Sequence, residues 1–399
     1  MRERFFTLPV VTLIALSFTL GTSEFIVVGI LPDIAADLGV PQTDVGNLVA
    51  LFAFVYAPCT LIGSSLVSRF PRFAANIALT VVFLAGNVLG AFAGNYGMLF
   101  ASRVLIASVA GILAAMSMTY AGDLAAPHNR TRFVSWIFSG FSVAAVAGVP
   151  LGTWITNAFG WRWSFHAIDL LTVMLLALMA ITLPRHAQPN RARFLAQFRL
   201  FADRRIQLGV LIMICGAAAT YAFYTYLAVI MSDQIGIPAR YVSLGMVVYG
   251  IGSLWGNLHS AKLADRGHGV EPLARMTPIF LAWAAALCAL VLTPLVPAVG
   301  AALVLVLGMF MYLLNSPAQI LYMDVAARRN PGSLNLASSL SATSYDVGIA
   351  LGSAVAVVVA DHAGLTWLGP VGALFALAAA GMSVLLRPYC TERYAHAER

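Results

Sequence analysis

The stretch LPVVTLIALSFTLGTSEFIVVGIL, residues 8–31, decides the fold. It is apolar except for one ionisable side chain, Glu24, and it exceeds the roughly 20 helical residues that a bilayer core requires. A secretory leader does not fit it. The run is too long for an h-region, lacks a clear small-residue cleavage site and carries an acid inside it. Similar runs recur along the whole chain, so residues 8–31 are read as the first of a series of membrane spans.

Composition agrees with that reading. Hydrophobic residues make up 60% of the chain, charged residues 10%, and the mean hydropathy is +0.87. A soluble domain is about 25% charged; a chain this apolar has too little polar surface to cover itself in water. After the first run, spans are expected over 44–67, 73–93, 97–120, 133–156 and 164–183. A second set is expected over 206–231, 241–263, 273–293, 298–323, 334–360 and 365–387. Residues 184–205 between the sets are polar and arginine-rich. The expected organisation is a six-helix bundle over 1–183, a cytoplasmic basic linker over 184–205 and a second six-helix bundle over 206–399.

Charge placement supports that count. With Met1 on the cytoplasmic side, inward-facing segments collect 20 of the 23 basic residues; only Arg162 and Arg240 face outward, and Arg103 lies within a span. A missed helix would invert every later loop and destroy the asymmetry. The bias places both termini in the cytoplasm. It also accounts for the net charge of +7 without nucleic acid, since the basic residues are spread over short loops and no nucleic-acid motif accompanies them.

Several segments carry a resemblance to a known family. They are GTSEFIVVGILPDIA over 21–35, SRVL over 102–105, Gly140 followed by GVPLG over 148–152, and FGWRWSF over 159–165. The chain resembles the drug:proton antiporter branch of the major facilitator superfamily, particularly its arabinose-efflux-permease-like bacterial members. The resemblance implies an all-α membrane protein of 12 helices, with two six-helix halves related as parallel repeats. It implies a proton-coupled exporter of small molecules in the bacterial inner membrane, acting by alternating access. Gly148, Pro150 and Gly152 then form the antiporter motif, and Arg103 is the membrane-embedded arginine. The loop motif falls on Gly63 and Arg69 in the first half and on Asp265 and Arg266 in the second. Ser68 stands where the family usually has aspartate, which removes the acid from any latch built there; Asp123, near Arg130 and Arg132, is a candidate substitute.

Ionisable groups inside spans cost about 2.5–3.5 kcal/mol each on insertion scales and therefore mark function or pairing. Glu24 and Asp346 are the proton-coupling candidates. Glu24 can instead be a structural carboxylate paired with a neighbouring helix, and Asp346 can bind a cationic substrate or pair with a base. Arg103 must face carboxylates, carbonyls or water, and either holds Glu24 ionised or ties two helices together. His166 and Asp169, nearer the outer end of their span, are expected to be solvated. Tyr221 and Tyr224 share a helix face and are candidates to line a cavity and stack on a planar substrate, or to sit in an interfacial belt. Asn315, beside Pro317, is a candidate polar contact. Dense packing is the alternative explanation for the glycines of spans 5 and 11, Gly348 and Gly352 included.

Cys59, Cys215, Cys288 and Cys390 show no metal-ligand spacing and imply no disulfide framework. No nucleotide-binding GxxxxGK[ST] loop is present, so neither ATP coupling nor another cofactor nor a metal is expected, and neither is an enzyme. An ion gradient suffices: one proton crossing 100 mV supplies about 2.3 kcal/mol, roughly a fifty-fold opposing substrate gradient. The expected partners are protons, a small-molecule substrate and the lipid bilayer, with the chain acting as a monomer. The alternatives are an exporter of a native metabolite (a sugar, nucleoside or amino-acid derivative) and a non-transporting sensor on the same fold, which would be expected to carry an added soluble domain.

Overall fold

The computed structural model describes residues 6–67, 70–125, 130–185, 198–265, 272–329 and 334–391. Every regular element among them is helical, as a bilayer requires of a chain that must satisfy its own backbone. The first half comprises α1 (Leu8–Leu38), α2 (Gln42–Val67), α3 (Arg72–Ala91), α4 (Tyr96–Thr119), α5 (Arg130–Val143 continued by Val149–Phe159) and α6 (Trp161–Thr182). The second comprises α7 (Arg204–Tyr224), α8 (Ala239–Asp265), α9 (Thr277–Cys288), α10 (Pro297–Phe310 continued by Asn315–Arg329), α11 (Leu334–His362) and α12 (Leu368–Thr391). Ten helical segments are long and apolar enough to cross a membrane; the shorter apolar segment Thr277–Leu292 and the 27-residue α8 complete the twelve.

Helix ends follow local chemistry. α1 runs past Leu31, where the apolar run stops, and ends at Gly39, whose left-handed backbone (φ 63°) returns its N–H to Ala35 O. Gly160 alone joins α5 to α6 at φ 94°, a conformation that glycine adopts without strain and other residues do not.

Three expected spans differ from the structure in continuity. α7 does not continue unbroken to Met231: it stops at Tyr224, and a short turn (Leu227–Val229) and a π-helical turn (Ile230–Gln234) follow. α10 is interrupted at 311–314 and restarts at Asn315, with Pro317 in its first turn, where a missing N–H is tolerated. The ninth span is α-helical only over Thr277–Cys288, between 3-10 turns at Pro272–Arg275 and Ala289–Leu292. A hydropathy window reports how apolar a segment is and carries no information on its hydrogen-bond register.

The chain divides into two compact units, Met1–Ala192 with Ala239–Met246, and Arg193–Pro238 with Val247–Arg399. Within the first, α1 packs on α2, α5 and α6, α2 packs on α4, and α3 packs on α4 and α6. Within the second, α7 packs on α11 and α12, and α9 packs on α12. The contacts α1–α5, α1–α6 and α3–α6 thus reappear as α7–α11, α7–α12 and α9–α12, the pattern of two six-helix repeats.

Candidate functional site

α1 carries many hydroxyls for a buried helix, and most of them serve the helix itself. Thr12, Thr19 and Thr22 donate to the carbonyls four residues earlier, at 2.8–2.9 Å. Ser23 behaves differently. Its hydroxyl donates to Asn87 Oδ1 on α3 at 2.7 Å, and Asn87 Nδ2 in turn donates to Phe83 O at 2.9 Å. One residue on is Glu24.

Arg103, on α4, is fully buried beside this segment. Its Nη1 donates to Ser23 O at 2.6 Å and its Nη2 to Glu24 O at 3.0 Å. Its guanidinium carbon lies 4.3 Å from the centroid of the Phe52 ring on α2. No ion pair within 4 Å joins Arg103 to the Glu24 carboxylate among the described residues. Arg103 therefore grips the backbone of α1 and leaves the Glu24 side chain unclamped. Next to it, Ser102 donates to Gly86 O at 2.7 Å and fixes α4 on α3. Helices α3 and α4 thus bond residues 23–24 directly, and α2 packs on the arginine that holds them.

The fifth helix closes against the same stretch. A methyl group at Gly148 would strike Thr22 Oγ1, and one at Gly152 would strike Ile26 Cδ1. Earlier along α5, one at Gly140 would lie 2.7 Å from Ile14 O, and from the α1 side one at Gly21 would lie 2.9 Å from Ala144 Cβ. A π-helical turn over Ala144–Gly148 shifts the register of α5 just before Pro150. Glycines on both helices bring the backbones together one turn on either side of Glu24. Gly348 and Gly352 seat α11 on α7 in the same way, with methyl positions 2.5 Å from Ile214 O and Ala218 O.

In the second unit, Tyr221 and Tyr224 meet edge to face at 5.2 Å. They belong to a larger set than their spacing indicated. Tyr224 stacks on Tyr249 of α8 at 4.9 Å, Tyr221 meets Tyr345 of α11 at 6.1 Å, and Tyr345 stacks on Tyr312 at 5.9 Å. Tyr345 also donates to Met311 O, at the interruption in α10, at 3.2 Å. Asp346, the next residue of α11, is buried. Asn315 is half-buried at the restart of α10.

The remaining candidates fall elsewhere. A methyl on Gly63 would meet Ile112 Cδ1, so this glycine seats α2 on α4. Ser68, Arg69, Arg266 and the side chain of Asp265 lie outside the described residues. Asp123 pairs with Arg72 at 3.0 Å; the side chains of Arg130 and Arg132 lie outside the description. At the far end of this unit Arg162 pairs with Asp37 at 2.7 Å and donates to Ala93 O. Asp169 does not fit the expectation of a solvated acid: its side chain is 13% exposed, 3.8 Å from His166, and its Oδ1 has no hydrogen-bond partner among the described residues. The sequence marked Asp169 by position alone, and the burial arises from the helices around α6.

Asn87, Phe52, Tyr249, Tyr312 and Tyr345 were not marked as site residues by sequence. The one available signal for the first was its place as one of two asparagines, with Asn76, in the apolar run 73–93, because an amide in that setting must find a partner.

The fold and the buried Glu24–Arg103 region define a polytopic transport protein, and the comparison with known proteins identifies the family. Residues 13–353 match the Major Facilitator Superfamily, and the chain belongs to it; it is a multi-pass membrane protein of a transporter class. It is 31% identical over 384 residues to the uncharacterized MFS-type transporter YtbD of Bacillus subtilis (strain 168), covering 95% of this chain and 96% of that one. It is also 31% identical over 363 residues to a chloramphenicol resistance protein of Streptomyces lividans, covering 89% and 90%. Among solved structures, a bacterial homolog of the human lysosomal transporter Spinster, in an inward-facing and unoccupied conformation, superposes with a TM-score of 0.76. That likeness spans 97% of this chain and 98% of the other at 14% identity, and shows the shared fold.

Proposed function

We propose that this protein is a proton-coupled exporter of small molecules, an antiporter working by alternating access in the bacterial inner membrane with both termini in the cytoplasm. The observation that carries the reading is the Glu24 carboxyl, set on a span beside Arg103 but not ion-paired with it among the described residues. A carboxyl in this position takes a proton when the surroundings are dry and gives it up when water returns. Arg103, held by two backbone carbonyls, places a fixed positive charge on the helix beside this carboxyl. The chloramphenicol resistance protein among the relatives supports export of a small organic molecule.

In this reading substrate binds from the inside with Glu24 deprotonated. Protonation from the outside displaces it, and release of the proton inward resets the carrier. Purified protein in liposomes with an imposed pH gradient tests the coupling. Glu24→Gln is expected to abolish gradient-driven accumulation while leaving substrate exchange at equal concentrations. Undiminished accumulation by Glu24→Gln removes this carboxyl, and the coupling built on it, from the mechanism.

A further inference from the structure

Asp169 is an acid inside a span that the transport scheme above leaves unused. Its side chain is 13% exposed, and its Oδ1 has no hydrogen-bond partner among the described residues. A carboxylate kept only for packing would have both oxygens satisfied, since native proteins rarely bury an unpaired polar atom. One turn nearer the Arg162 end of α6, His166 Nδ1 lies 3.8 Å from Asp169 Oδ2. That separation is beyond a hydrogen bond, and a small rotation of the ring closes it to one. The rings of Phe92 and Trp163 meet His166 edge to face at 5.2 and 5.5 Å, while 34% of its side chain stays exposed. The pair is open at the histidine and closed at the acid.

Its depth suits an intermediate station. Arg162 and Asp37 pair at 2.7 Å and set the start of α6 level with the end of α1. From that pair, Glu24 lies thirteen positions back along α1 and Asp169 seven positions on along α6. At 1.5 Å per residue these are about 20 Å and about 10 Å, so Asp169 stands halfway down to Glu24. α6 packs on α1, and α3 touches both ends of the interval. Phe92, at the cap of α3, meets the His166 ring, and Asn87 accepts from Ser23 beside Glu24. Other ionisable groups on the helices packed against α6 are few. Asp37 is engaged by Arg162, and Asp33 sits one turn below it on α1. Arg72 pairs with Asp123 at the opposite end of α3. Arg130 and Arg132 stand at the start of α5, the end away from α6, and the α5 segment against α6, Val149–Phe159, carries none.

We propose that His166 and Asp169 form a proton-loading pair that takes protons from the outer side and delivers them to Glu24 through the first unit. Chains of Asp, Glu and His within spans serve as proton relays in pumps and transporters. A proton from the outer water is taken by His166 and passed to the Asp169 carboxylate. It moves on to the Glu24 carboxylate along hydrogen-bonded water beside Ser23 and Asn87 when the outer side opens. His166 and Asp169 each return to their starting charge once the proton has left. The proposal rests on the antiport reading, because the relay needs Glu24 as its acceptor.

The test is infrared spectroscopy of carboxyl protonation in the full-length protein, needing no transported substrate. In a pH titration in nanodiscs, Asp169→Asn is expected to remove one titrating carboxyl signal and Glu24→Gln another. In liposomes holding the protein in one orientation, an acid jump on the outer side should then protonate Glu24. That step is expected to be roughly tenfold slower or more in Asp169→Asn and in His166→Gln than in the wild type. Asp169→Glu should restore the rate, which a merely structural aspartate would not do. His166→Gln keeps the acid in place and serves where an Asp169 variant fails to fold. No signal lost in Asp169→Asn, or wild-type Glu24 protonation rates in His166→Gln, overturns the proposal and leaves the antiport reading standing. Absence of any signal lost in Glu24→Gln, with the Asp169 signal present, instead removes the acceptor and sinks the coupling built on Glu24.

Discussion

Arg103 Nη1 sits 2.6 Å from the backbone carbonyl of Ser23, a hydrogen bond between α4 and α1 across eighty positions of chain. With the second bond to Glu24 O, it makes Arg103 a clamp on the helix that carries Glu24. Arg103→Lys keeps the charge, but a single ammonium on a flexible stem does not reproduce the planar fork. One charge-assisted bond is worth about 1.5–3 kcal/mol, so the variant is expected to melt several degrees lower in detergent and to transport poorly. Arg103→Ala removes both bonds and leaves two helices untied, and is expected to be worse in both respects. A Lys variant with wild-type melting and flux would show that the clamp geometry is dispensable.

The seam between α1 and α5 leaves no room for side chains. Gly152→Ala places a methyl on Ile26 Cδ1, and overpacking of this kind costs about 1–3 kcal/mol. Ile26→Ala added to it makes space for the new methyl. The double variant is expected to recover melting temperature relative to Gly152→Ala alone, and detergent melting curves read the difference. Absence of any recovery would mean that the contact does not set the helix separation.

Arg72 and Asp123 are both partly exposed, and an exposed ion pair contributes about 0.2–1 kcal/mol. Asp123→Asn should therefore leave the melting temperature within a degree or two. If the pair substitutes for the acid missing at Ser68, its removal is expected to change transport rate more than stability. Exchanging the charges, Arg72→Asp with Asp123→Arg, is expected to restore part of that rate. Flux measurements on the three variants decide it.

Asp203, just ahead of α7, joins the N-terminus of that helix to the C-terminus of α10. It accepts from Arg205 N at 3.0 Å and from the Arg205 side chain at 3.0 and 2.7 Å, and pairs with Arg329 at 3.2 Å. Burial pushes its carboxyl up, but the Arg205 hydrogen bonds and the charges of Arg205 and Arg329 outweigh this and hold it below the ordinary value of 3.8. A depressed folded-state value means stability that is complete above the unfolded value and is lost as pH falls through the folded one. The wild type is expected to lose melting temperature below about pH 4, and Asp203→Asn to lose less over that window while starting lower at neutral pH. Parallel slopes for the two proteins would show that Asp203 does not carry this dependence.

Particular residues show what the sequence could and could not reveal about the candidate site. Glu24 and Arg103 stand out because an ionisable group in an apolar run is costly wherever it ends up. Gly148, Pro150 and Gly152 stand out because GVPLG resembles the antiporter motif of the family. Their contacts are another matter. That Arg103 reaches carbonyls, that Asp123 faces Arg72, and that Tyr249 of α8 lies on Tyr224 of α7 all depend on rotations of helices about their own axes. Apolar spans carry almost no periodicity from which such rotations can be read.

The sequence by itself determined the membrane-spanning class, the twelve helices and their division into two sets of six. The bilayer imposes one span length, and inward loops collect basic residues regardless of how helices pack. Only the tertiary structure decided which helices interrupt themselves, where Asp169 is buried, and which aromatic rings gather into one nest. Those outcomes follow from side chains of helices far apart in the chain competing for the same volume and the same hydrogen bonds.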